Sequence, residues 1–184
     1  PLAQDLLFVL PKEVHAAFFA YSTRNAFATA TFGNVQLGEP SHDEPEFVDG
    51  PVSFKSNQPD RLPSTWGWYP GRNAASDLTV TDTTIQLVAG PRTNAWNGDV
   101  TAPHVDLPMT GNFSVQARFA FDTKDRWQEA GILIRPQSGP NRSIDLRRSG
   151  AGPDEQRILA AATQNNDSNA LIVVPYGKNV TYLN

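Results

Sequence analysis

The chain has 184 residues, 39% of them hydrophobic, no cysteine and a formal net charge of -4. That length fits one domain with a sizeable core, and the lack of cysteine excludes a disulfide scaffold, a thiolate metal site and a thiol nucleophile. The acidic balance argues against nucleic acid and anionic membrane as partners, and no apolar run approaches the roughly 18–20 residues of a membrane helix.

In chain order, the sequence starts at Pro1 without a methionine or a visible signal peptide, which reads as a mature or excised piece. Leu2–Leu10 is apolar and stops at Pro11. Val14–Tyr21 and Ala26–Leu37 are predicted strands joined by a polar turn. In the second, Phe27, Thr29 and Thr31 alternate against Ala28, Ala30 and Phe32. Residues 39–50 are acidic and rich in Pro and Gly, the composition of a linker. They divide the chain into residues 1–38, the linker, and a main body over 51–184.

The main body opens with the aromatic cluster Trp66-Gly-Trp68-Tyr69. Short strands follow at Leu78–Val80 and Thr84–Val88, then a loop carrying Trp96. Ala102–Leu107 leads into a long alternating stretch. Phe113, Val115, Ala117, Phe119 and Phe121 lie on one face there, with Ser114, Gln116 and Arg118 on the other. Such alternation is what a half-buried antiparallel strand requires, because successive side chains leave opposite faces of the pleat. Strands over Trp127–Pro136, Ser143–Arg148, Gln156–Thr163, Leu171–Val174 and Val180–Leu183 complete the series. Their spacing of about ten residues predicts an all-β antiparallel sandwich. Phe113, Val115, Phe119, Phe121, Ile132, Ile134, Ile144 and Leu146 should share one interior, joined by Trp66 and Trp127.

Residues 50–184 resemble a concanavalin A-like lectin/glucanase jelly roll, in the branch of regulation-of-enolase-like and glycosidase-appended lectin-like domains. The motifs are Trp66-Gly-Trp68, Trp96 followed by Ala102-Pro103, Gly111-Asn-Phe-Ser-Val, and above all Trp127-Gln-Glu-Ala-Gly-Ile-Leu-Ile-Arg135. The resemblance implies a lectin-like jelly-roll sandwich. It also implies a rotated strand order, because the family's closing pattern stands first here, as Val14-His-Ala-Ala-Phe-Phe-Ala-Tyr-Ser22 and Ala28-Thr-Ala-Thr-Phe-Gly-Asn-Val35. A permuted domain, a fragment of tandem repeats and a subunit completed by a neighbour's strands all account for that order.

Catalytic signals are poor. The glucanases of the family carry a tight acidic motif along one strand, but here Glu129 precedes an apolar run and Asp145 stands between Ile144 and Leu146. The three histidines, His15, His42 and His104, lie in no nucleophile-elbow context. No catalytic residue is therefore assigned. Exposed aromatic rings suit sugars, whose C–H faces they stack on while polar neighbours fix orientation. The candidate ligand-binding residues are Trp96 with Asn97, then Trp68, Tyr69 and Tyr176. Gln116, Arg118, Arg135 and Arg147, with Asp145, would line one sheet face if their strands are neighbours.

No cofactor is indicated. Calcium at Asp99, Asp106 or Asp122 has no spacing to support it. The tripeptides starting at Asn112, Asn141, Asn166 and Asn179 match the glycosylation pattern, which also arises by chance. The first expectation is a non-catalytic carbohydrate-binding module, extracellular or at a cell surface, with a glycan as partner. The second is a structural or adhesive repeat completed by strand exchange with copies of itself, and the third is a glycoside hydrolase.

Overall fold

The computed structural model describes residues 13–38, 62–95, 100–121, 123, 125–137, 142–150, 156–164, 167–176 and 180–183, with side chains up to residue 163 except at 38, 114, 142 and 156. The apolar segment 2–10 and the linker 39–50 lie outside them. The elements are β1 (Glu13–Ser22), β2 (Ala28–Gly38), β3 (Gly67–Tyr69), β4 (Asp77–Val80), β5 (Thr84–Ala89) and β6 (His104–Thr110), then β7 (Ser114–Phe121), β8 (Gln128–Pro136), β9 (Arg142–Gly150), β10 (Gln156–Gln164), β11 (Asp167–Tyr176) and β12 (Val180–Leu183). They form a seven-stranded sheet in the order β11-β10-β9-β8-β1-β6-β3, packed on a five-stranded sheet in the order β12-β7-β2-β5-β4. Every strand pairing is antiparallel. The fold is the all-β sandwich that the alternation predicts.

The core fills the space between the sheets. Ala16, Phe18 and Ala20 of β1 meet Ala28, Ala30 and Phe32 of β2, Ile85 and Leu87 of β5, and Val115, Ala117, Phe119 and Phe121 of β7. Phe32 stacks on Phe119 with ring centroids 5.4 Å apart, and Phe18 lies 5.1 Å from Phe32. Of the expected interior set, Val115, Phe119, Phe121 and Ile132 are buried in this core, and Phe113, Ile134 and Leu146 pack against it. Ile144 is half-buried, opposite Ile134. Trp66 also packs on the core. Along β2 the register shifts between Gly33 and Gln36, with Asn34 at φ 47°. The extra residue moves the buried series from Phe32 to Val35, which is what a bulge does to the parity of a strand.

β1 is an interior strand of the seven-stranded sheet, and β2 is the central strand of the five-stranded one. β1 pairs with β8 on one side and β6 on the other, and β2 sits between β5 and β7. The strands over Val14–Tyr21 and Ala28–Val35 thus pair with strands of the main body.

Two expectations are corrected. β7 and β8 are consecutive but lie in different sheets, so Gln116 and Arg118 do not share a face with Arg135 and Arg147. The chain turns over between them at Trp127, which adopts φ 61° and leaves its side chain 47% exposed. Trp127 is therefore a surface residue and not part of the core. An apolar run shows that a strand is buried, but not whether its predecessor is a hairpin partner or belongs to the opposite sheet.

Candidate functional site

The outward face of the seven-stranded sheet carries the site. Because β1 alternates, Ala16, Phe18 and Ala20 point between the sheets, while His15, Ala17, Phe19 and Tyr21 point outward. A second apolar cluster forms there from Ala17, Phe19, Tyr21 and Leu133, covered by Ala95 and Ala102. Those two alanines belong to a loop whose arms are tied together. Thr101 N and Ala102 N donate to Asn94 O at 2.7 and 2.9 Å, and Asn94 N donates to Thr101 Oγ1 at 2.8 Å. Trp96 and Asn97 lie outside the described residues.

On one side of the apolar cluster lies a buried polar network. Tyr21 Oη donates a short hydrogen bond to Glu129 Oε2, and Ser149 Oγ donates to Glu129 Oε1 at 2.7 Å. Arg147 Nε is 2.8 Å from Glu129 Oε2, and its Nη1 is 3.2 Å from Asp145 Oδ1. The guanidinium stem crosses β8 at Gly131, where an added Cβ would come within 2.6 Å of Arg147 Cα, so only glycine lets the two strands close. Arg147 is 1% exposed, against the open sheet face expected for it.

One guanidinium balances one carboxylate, and this network holds two. Burial first, and then the charge of Glu129, push Asp145 up to about 7 against the pull of Arg147. Burial and Glu129 also raise the Tyr21 phenol well above its ordinary value. Although burial opposes it, Arg147 is raised by Tyr21, Glu129 and Asp145. Both oxygens of Glu129 are engaged. The arrangement locks five positions on three strands together through charge and hydrogen bonds.

On the other side lies a polar cluster open to solvent, centred on Asp106 of β6. Arg135 Nη2 donates to Asp106 Oδ2 at 2.7 Å, and His15 Nδ1 lies 3.3 Å from the same oxygen. His104 Nδ1 is 2.9 Å from Ala102 O, which ties it to the base of the Trp96 loop. Its Nε2 faces Arg135 Nη2 at 2.8 Å and Asp106 Oδ2 at 3.5 Å. A neutral His104 accepts there from Arg135, and a protonated one donates to Asp106. Burial alone would raise Asp106, but the hydrogen bond and charge of His104, and then Arg135, hold it well below the usual carboxylate range. Tyr69, 41% exposed, rests its ring on His104 with centroids 4.7 Å apart.

Among the described residues, Asp106 Oδ1 and His15 Nε2 are buried and have no hydrogen-bond partner. When His15 Nδ1–H donates to Asp106, both are acceptors. No group of His, Asp and Glu side chains there is arranged to hold a metal. A guanidinium 2.7 Å from Asp106 also competes with any cation at the position considered for calcium.

Of the residues singled out from the sequence, the structure brings Tyr69 and Arg135 together. Trp68 alternates away from Tyr69 and packs on the core. Gln116 and Arg118 lie on the five-stranded sheet, and Tyr176 ends the edge strand β11. Sequence reasoning missed His15, His104, Asp106, Glu129 and Tyr21 as site residues. The available signal was their outward parity on β1, β6 and β8.

No family model matches the chain, no curated protein matches it, and no solved structure matches it.

Proposed function

We propose that the protein is a non-catalytic carbohydrate-binding module that takes uncharged oligosaccharide on the outward face of the seven-stranded sheet. The observation that carries this reading is the Tyr69–His104–Asp106–Arg135–His15 cluster. A half-exposed ring stands beside buried acceptor atoms that lack partners, and beside a guanidinium whose charge is already balanced by Asp106. A sugar supplies a C–H face for the ring and hydroxyls for the part-exposed side chains of Arg135, His15 and Asp106. The likeness to lectin-like jelly rolls, carried by the sequence motifs and compatible with the sandwich, supports the same reading and an extracellular or cell-surface setting. Screening on an array of neutral glycans should give hits that Tyr69→Ala and Asp106→Asn each lose while remaining folded. Hits unchanged in both variants would refute this site.

A second reading is favoured by β1 and β2. They are interior strands of the two sheets and reach the rest of the chain only across residues 39–61, so the same contacts can form between two copies by strand exchange. Concentration-dependent light scattering separates this structural, self-assembling role from a monomeric binding module.

A further inference from the structure

His104 makes two contacts that cannot both survive its protonation. Its Nδ1 is 2.9 Å from Ala102 O, and a carbonyl oxygen only accepts, so Nδ1 carries the proton of the neutral ring. Nε2 is then the lone-pair nitrogen. It faces Arg135 Nη2 at 2.8 Å and accepts from the guanidinium there. The same Arg135 nitrogen donates to Asp106 Oδ2 at 2.7 Å. A neutral imidazole and a carboxylate thus hold one guanidinium nitrogen between them.

A second proton, taken from solvent, goes to Nε2 because Nδ1 is already filled. Two N–H donors and two positive charges would then meet at 2.8 Å, and one side chain has to move. Around His104 stand Asp106 on β6, His15 on β1, Arg135 on β8 and Tyr69 on β3, with Arg72 on the loop bonded to Thr101 O. Among these, Asp106 is the carboxylate, and its Oδ2 is 3.5 Å from Nε2, within a small shift of a hydrogen bond. Although burial works against it, His104 and Arg135 hold Asp106 well below the usual carboxylate range, so it is ionised and able to accept. The two cations differ in freedom. The His104 side chain is 2% exposed and pinned by Ala102 O and the Tyr69 ring, whereas Arg135 is 29% exposed. Arg135 is the one with a way out.

We propose that His104 is a proton-operated latch on Arg135. Neutral, it holds the guanidinium against Asp106. Protonated, it takes Asp106 Oδ2 for itself and releases Arg135 toward solvent. The consequence for ligand rests on the sugar-binding reading: the cluster is ordered for neutral oligosaccharide while the latch is closed, and loses Arg135 and part of Asp106 when it opens. His104 acts here as a positioning residue, and it ties binding to pH through the side chain it holds.

The test begins on the whole chain without ligand. Nitrogen NMR of the side chains should show the neutral His104 ring protonated at Nδ1 and bare at Nε2. Over about pH 8 to 5, the span in which imidazoles change charge, the Arg135 guanidinium signals should follow the same curve as His104 Nε2. Oligosaccharides found by the neutral-glycan screen should lose affinity about tenfold over that span, the effect of leaving about a tenth of the molecules competent. His104→Gln should flatten this profile whatever its own affinity, and His15→Gln should keep it. The latch is overturned if Nε2 carries the proton of the neutral ring, or if the Arg135 signals ignore the His104 titration. Its control of binding is overturned if affinity stays constant while Arg135 is released, or if the profile survives in His104→Gln. The wild-type NMR curve decides the latch even where His104→Gln does not fold or no glycan binds, and the absence of any glycan hit refutes the sugar reading instead.

Discussion

Two clusters on one sheet face use the same parts and reach opposite electrostatic states. Around Arg147 the carboxyls outnumber the cation, solvent is shut out, and Asp145 is pushed up to about 7. Around Asp106 a single carboxylate faces a guanidinium and two imidazoles at a solvent-open position, and it is held down. Burial disfavours charge in both, so the ratio of partners to carboxylates decides the sign. The buried cluster is a structural clasp, and the part-exposed one holds two buried acceptor atoms without partners. A sheet face can separate these tasks because β1 supplies one residue to each, Tyr21 and His15.

The largest effect should come from removing that shared strand. Deleting residues 1–38 takes an interior strand out of each sheet and leaves the three pairs β6-β3, β12-β7 and β5-β4 with no further sheet neighbour. Circular dichroism and thermal melts should show no cooperative unfolding, and a native-like monomer would mean that the strand order is wrong. Next, Arg147→Ala leaves Glu129 and Asp145 buried without their cation and should cost about 3–5 kcal/mol in urea denaturation. Phe119→Ala, which removes a ring from the core, should cost about 3–5 kcal/mol as well. Two losses of equal size would show that the clasp matters to stability as much as the apolar interior.

How much of this was legible follows from what each feature depends on. Alternation is local, so the inward set of β7 and the interior positions of β8 could be read from spacing alone. The clasp is not local, since Tyr21 and Glu129 are 108 positions apart. Arg147 alternates with Leu146 just as a solvent-facing residue would, and only the neighbouring strands show that it is covered. Likewise, the apolar context of Trp127 pointed inward, but the chain crosses between sheets there and the left-handed turn sends the ring out.

The comparison sharpens with pH. The folded state holds the Asp145 proton more tightly than the unfolded chain does. Its contribution is therefore full below the ordinary carboxylate range and is lost as pH rises toward about 7. Asp106 has the opposite sign: its contribution is present above that range and is lost as pH falls below it. Asp145→Asn should flatten the decline in stability between about pH 4 and 7, and Asp106→Asn should flatten the loss at lower pH. Melting temperatures across pH check both, and identical profiles in the two variants would erase the distinction. The smallest change in stability belongs to Tyr69→Ala, within about 0.5 kcal/mol for an exposed side chain. A larger loss in its melt would make the ring a structural part of the cluster.

The central place of β1 also has a consequence in time. Its partners β6 and β8 follow it by roughly half of the chain's length, as the Phe19–His104 and Tyr21–Glu129 pairings show. At translation rates of about 5–20 residues per second, β1 waits roughly 5–20 s for β8 to be made. Until β6 is made, Phe18 and Phe19 stand on opposite sides of a strand without either of its partners. Folding cannot proceed from the first strands outward, and the sandwich must close late around a segment that was synthesised early. A nascent chain of this kind needs shielding while it waits, so its yield on expression should depend on chaperone supply more than its final stability would suggest.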